Sequence, residues 1–149
     1  MIISATVKAW FHYNNLGRGQ LRLTHNGAPL MNFLARTGSV GHDGKLKNSI
    51  PVQPWYLCTG PERPVESEEY AMYIPTEIGF GWKHRLWPIP VPAGHERMGG
   101  YLIHPDGRLP GTMGCIGTVG SNAMEWFYWM DTWFTDHNEI IIPLEVKVI

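Results

Sequence analysis

The chain has 149 residues, with 12 Lys and Arg against 13 Asp and Glu, 17 Gly, 12 Pro, 7 Trp and 2 Cys. This length supports one self-sufficient core, and a hydrophobic share of 44% excludes a disordered chain. A formal charge of −1 leaves no basic footprint for nucleic acid, and two cysteines make no disulfide framework. Residues 1–149 therefore read as a single domain, rich in turns and short strands.

In chain order, Met1–Tyr13 lacks the basic start and continuous apolar run of a signal peptide. No stretch approaches the ~18 apolar residues of a membrane span. The expectation is synthesis in the cytoplasm without a cleavable signal, and no stable membrane insertion. Ile2–Phe11 is rich in strand formers, and Gln20–Thr24 alternates with Leu21 and Leu23 on one face. Asn26–Gly27 marks a hairpin turn into a second strand over Pro29–Arg36. His42-Asp43-Gly44 is a turn by composition, and Gly17–Gly19 follows no strand-to-helix pattern that would make it a phosphate loop.

Further strands are expected at Val52–Cys58, Trp82–Trp87 and Gly99–His104, with Cys58 and Trp82 as core residues. Thr59–Glu69 reads as an exposed loop, and Pro88, Pro90 and Pro92 point to an extended loop over Trp87–Ala93. Ser121 or Asn122 caps a helix running to about Asp136. Its apolar arc holds Ala123, Trp126, Phe127, Met130, Trp133 and Phe134, opposite Glu125, Asp131, Thr132, Thr135 and Asp136. Glu139–Ile149 closes as a strand. The fold class is mainly β (α+β).

The chemistry concentrates in Gly99–Gly120. The strand Tyr101–Ile103 delivers His104 at its end, and a Gly/Pro loop leads to Gly114-Cys115. A thiolate is the reactive form of cysteine, and a neighbouring imidazole can take and return its proton. Backbone N–H groups at Gly114 and Cys115 are candidates for stabilising an oxyanion. Either a carbonyl near Pro105 or the Asp106 carboxylate is a candidate for orienting His104. Tyr56 and Trp87 are candidates for a groove wall. The seven histidines show no HExxH spacing, and Cys58 and Cys115 lack zinc-ribbon spacing, so no metal and no cofactor is implied.

The stretch from Ile103-His104 to Thr112-Met113-Gly114-Cys115-Ile116 resembles the active-site signature of L,D-transpeptidases of the YkuD type. There a strand-end histidine precedes Ser/Thr-X-Gly-Cys-(Ile/Val). Met113 and Gly117 stand where that family commonly carries His and Arg. The short gap between His104 and Cys115 is similar to that of compact relatives used as type VI secretion effectors.

The resemblance implies a YkuD-like β-sandwich or mixed sheet with one main helix after the cysteine. It also implies a cysteine L,D-transpeptidase or L,D-carboxypeptidase acting on peptidoglycan stem peptides. Cys115 would attack the meso-diaminopimelate–D-Ala bond of a tetrapeptide and His104 would shuttle the proton. Gly114 and Thr112 would belong to the oxyanion loop, and Arg97 and Arg108 would be the nearby cations for a substrate carboxylate. Tyr101 would join Tyr56 and Trp87 in contacting substrate. The site of action would be the periplasm or cell wall after export by a secretion or lysis system, and an antibacterial effector would imply an immunity protein. The alternatives are a non-catalytic wall-binding or interaction module and a phage-encoded cysteine peptidoglycan hydrolase.

Overall fold

The computed structural model describes residues 7–62, 81–89, 101–105, 114–119, 122–137 and 141–149. Strand formers at alternating positions make β1 (Val7–Tyr13), in which Val7, Ala9, Phe11 and Tyr13 point inward and are buried. A turn held by Asn14, whose side-chain oxygen accepts from the amides of Leu16 and Arg18, leads into β2 (Arg18–His25). The hairpin to β3 (Ala28–Arg36) turns at Asn26 and Gly27, with φ of 50° and 82°. Both residues occupy the left-handed region that a two-residue turn between twisted strands requires.

A small hairpin, β4 (Ser39–Val40) with β5 (Leu46–Lys47), carries the expected turn at His42-Asp43-Gly44 in its loop. Then come β6 (Gln53–Thr59), β7 (His84–Ile89), β8 (Tyr101–Pro105) and β9 (Ile116–Thr118). The helix α1 (Asn122–Asp136) and the final strand β10 (Ile141–Val148) complete the described elements.

The fold is mainly β with a mixed sheet and a helix after Cys115, as the sequence predicts. The sheet closes on itself as a barrel in the order β1-β10-β6-β7-β8-β9-β3-β2. Two neighbouring pairs are parallel, β1 with β10 and β8 with β9, and the rest are antiparallel. Closure leaves no free edge in the ring. Inward-facing Phe11, Leu21, Leu23, Tyr56, Leu86, Ile103, Ile116 and Leu144 share one core with the apolar arc of α1. Trp126 packs edge-on against Phe33 and His84, and Phe127 meets Trp82 with its ring tilted by 36°.

Two elements differ from expectation. Pro88 and Ile89 continue β7 beyond Trp87, where an extended loop was expected, and the rest of that loop, residues 90–93, lies outside the described residues. Pro88 pairs with Tyr56 on the β6 side and, among the described residues, lies beyond the last β7–β8 pair, Leu86 with Tyr101. A proline without an N–H is best tolerated where one side of the strand carries no ladder. The second difference is β9, which intervenes between Cys115 and the helix. Three residues including a glycine are too few to show a periodicity.

Candidate active site

Ile103 and Ile116 face the barrel interior as register partners, and His104 is the partner of Gly117. Cys115 immediately precedes β9, two residues before the partner of His104. Diagonal neighbours of this kind lie ~7–8 Å apart along adjacent strands, within reach of longer side chains. The parallel β8–β9 pairing therefore brings the backbones of Cys115 and His104, 11 residues apart in sequence, onto neighbouring strands. Both are buried, Cys115 with 6% of its surface exposed and His104 with 7%.

His104 Nδ1 lies 2.7 Å from the Pro105 carbonyl oxygen. A carbonyl only accepts, so Nδ1 carries the proton and Nε2 of the neutral ring keeps its lone pair. Burial pushes the imidazole down to about 4, against the smaller opposing effect of that hydrogen bond. At neutral pH the ring is an uncharged base. Such a ring takes a thiol proton as attack proceeds, without first forming a standing ion pair with a thiolate. Of the two orienting candidates, the Pro105 carbonyl holds the ring, while Asp106 lies outside the described residues.

Gly114 turns the chain into Cys115 with a φ of 73°, a conformation that favours glycine. Its amide donates to the Asn48 carbonyl at 2.6 Å. The expectation that the Gly114 N–H faces an oxyanion is corrected by this bond, because a single N–H is already committed. The contact ties the cysteine turn to the segment after β5. Thr112, Arg97 and Arg108 lie outside the described residues.

Two substrate-contact expectations are also corrected. Tyr56 is fully buried and donates from its hydroxyl to the Pro51 carbonyl at 2.6 Å. Tyr101 is buried too, its ring edge-on to that of Tyr56 inside the barrel. Both occupy inward positions of their strands, so neither lines an exposed groove. Trp87 is exposed, but β7 meets β8 through His84 and Ile103. Trp87 is three residues beyond His84, about 10 Å along the strand from the level of Ile103.

Cys58 is fully buried in β6 and burial pushes its thiol up, as suits a core residue. His84 is buried as well, with Nδ1 at 2.7 Å from the Thr59 carbonyl and Nε2 accepting from Trp126 Nε1 at 3.0 Å. Both of its nitrogens are occupied, which makes it a structural histidine. Among the described residues, no three His, Cys, Asp or Glu side chains come together as a metal-binding group.

The sequence reading missed the cations that the barrel brings to this face. Arg36 of β3 is the register partner of Gly117, and Arg18 of β2 is the partner of Arg36. Both arginines line a cleft of about 620 Å³. The only signal in the sequence was the outward parity of Arg18 and Arg36 in an alternating hairpin.

No family model, curated protein or solved structure matches this chain. Among the described residues, no helix is long and apolar enough to cross a membrane.

Proposed function

We propose that the protein is a cysteine acyltransferase or hydrolase of the L,D-transpeptidase type, acting on peptidoglycan stem peptides. The observation that carries this reading is the pairing of β8 with β9, which sets a neutral, carbonyl-oriented imidazole beside the strand that Cys115 opens. The motif around Gly114-Cys115-Ile116 supplies the substrate class.

In this reading Cys115 Sγ attacks the carbonyl of the bond joining meso-diaminopimelate to D-Ala. Its proton passes to His104 Nε2. The tetrahedral intermediate collapses, the D-Ala amine leaves with the proton from His104, and an acyl-thioester remains. Water then releases a tripeptide, or an amine acceptor gives exchange or cross-linking. With the Gly114 amide committed to Asn48, the oxyanion takes its hydrogen bonds from other donors. Action on the wall would follow export by a secretion or lysis system, and an antibacterial role would call for an immunity protein in the producing cell.

The test is incubation of wild-type and Cys115→Ala protein with purified muropeptides, with products identified by mass spectrometry. Tetrapeptide loss with wild type alone is expected; equal turnover by the variant overturns the mechanism. A second reading, a non-catalytic wall-binding module, is favoured by the deep burial of both groups and by the committed Gly114 amide. It predicts retention on sacculi by both proteins with no product from either.

A further inference from the structure

The 620 Å³ cleft lies on the outside of the barrel, across β1, β2 and β3. Arg18, Arg22 and Arg36 line it together with His12, Gln20 and Leu34, and no lining side chain is acidic, although His12 Nε2 lies 3.0 Å from Glu145 Oε2. Alternation explains why they meet. Leu21, Leu23, Phe33 and Ala35 point inward, so the residues between them project outward. The register then sets Arg18 opposite Arg36 and Gln20 opposite Leu34. Cross-strand neighbours of like charge repel, and this arrangement is held in place by the strands that carry it. Partial burial pushes the Arg36 guanidinium down, and the nearby Arg18 charge pushes it the same way. A bound anion would offset the repulsion between Arg18 and Arg36.

The cleft adjoins the cysteine centre. Arg36 pairs with Gly117, and Gly117 pairs with His104 on its other side. One row thus runs Arg18, Arg36, Gly117, His104 across four neighbouring strands. Two strand spacings, ~9.5 Å, separate the backbones of Arg36 and His104. This is the length of two to three extended residues. A carboxylate at Arg36 lies within a dipeptide's reach of a carbonyl beside Cys115.

We propose that this cleft is a carboxylate-binding site, with Arg18 and Arg36 as its anchoring cations, and that it holds the terminal carboxylate of the acyl donor. The second half rests on the function proposed above; the first stands on the cleft alone. Arginine suits the task because its planar fork matches both oxygens of a carboxylate.

The probe is the synthetic tetrapeptide L-Ala-γ-D-Glu-meso-diaminopimelate-D-Ala, compared with the same peptide amidated at the D-Ala carboxyl. Binding to Cys115→Ala protein is measured by calorimetry, so that turnover does not intervene. The free acid is expected to bind at least roughly tenfold more tightly than the amide, the effect of losing one charge-assisted contact. Arg36→Gln should remove that preference, Arg18→Gln should reduce it, and Arg36→Lys should restore part of it. Equal binding of acid and amide by the unaltered cleft, or a preference that survives both glutamine variants, overturns the proposal. Turnover by wild type is scored separately. A carboxylate preference without tetrapeptide cleavage upholds the cleft and overturns the transpeptidase reading. Cleavage of the tetrapeptide with equal binding of acid and amide does the reverse.

Discussion

Arg36 and His104 flank Gly117 from opposite sides, one from β3 and the other from β8. A residue without a side chain thus separates a cation from a base on the outer face of the barrel. Gly117→Leu would place a branched side chain in that row. Turnover should fall by about 100-fold, since small displacements of reacting groups cost that much, and the melting temperature should fall too, because Gly117 is buried. Steady-state kinetics with a thermal melt as control checks this; unaltered kinetics would remove Gly117 from the site.

The two thiols should differ in reactivity. Cys58 is wholly enclosed in the barrel with its thiol pushed up, whereas Cys115 directly precedes the strand that pairs with that of His104, the proposed base. Peptide mapping after brief iodoacetamide treatment of native protein at pH 7.5 should find the label on Cys115. His104→Ala should slow that labelling severalfold. Preferential labelling of Cys58 would contradict the assignment.

Stability should decline with acid. His84 and His104 both titrate near 4 in the fold, below the usual value near 6.5, because burial disfavours their charged forms. Above that usual value both states are neutral and neither histidine contributes to pH dependence. As pH falls from about 6.5 to 4, the unfolded chain takes up protons that the folded one refuses, so stability is lost. Each histidine accounts for ~3 kcal/mol across that window. Urea titrations at pH 7 and pH 4.5 measure it, and His84→Gln should flatten the slope.

Trp126→Phe isolates one buried hydrogen bond. The ring is kept, but His84 Nε2 loses the donor at 3.0 Å. The expected loss is ~1–2 kcal/mol, against ~3–5 kcal/mol for Trp126→Ala, which also empties core volume. Chemical denaturation of the two variants separates the effects, and an unchanged stability in Trp126→Phe would show that the bond contributes nothing.

Gly19→Ala tests how tightly β1 and β2 approach. A Cβ there would run into the His12 carbonyl, a backbone atom that cannot swing aside. Destabilisation of ~1–3 kcal/mol is expected in a denaturant melt. A neutral effect would mean the strands can separate at that point.

Much of the barrel was legible in the chain because local signals agreed with it. Asn26–Gly27 announced the β2–β3 hairpin, and the spacing of Trp126, Met130 and Phe134 announced the buried face of α1. Alternation did not reveal closure, because the pairing of Ala9 with Leu144 is written in no local pattern. The candidate nucleophile and base were visible as residue types. Their neighbours were not. Arg36 looked like the polar end of a strand until the register set it beside Gly117, and Tyr56 looked like a surface aromatic until its hydroxyl found Pro51. Cross-strand register is a long-range property, and the cations depended on it.

The parallel pairing of β1 with β10 has a consequence for the order of assembly. β1 gains its second neighbour only when residues 141–148 arrive, so the ring stays open until that strand docks. Such long-range closure slows folding relative to helical proteins of similar size. Meanwhile β1 and β6 each offer a bare row of amides and carbonyls, templates on which one unfinished molecule can add to another. Aggregation should therefore track the lifetime of the open ring, and a chaperone that shields those two edges should raise the yield of soluble protein.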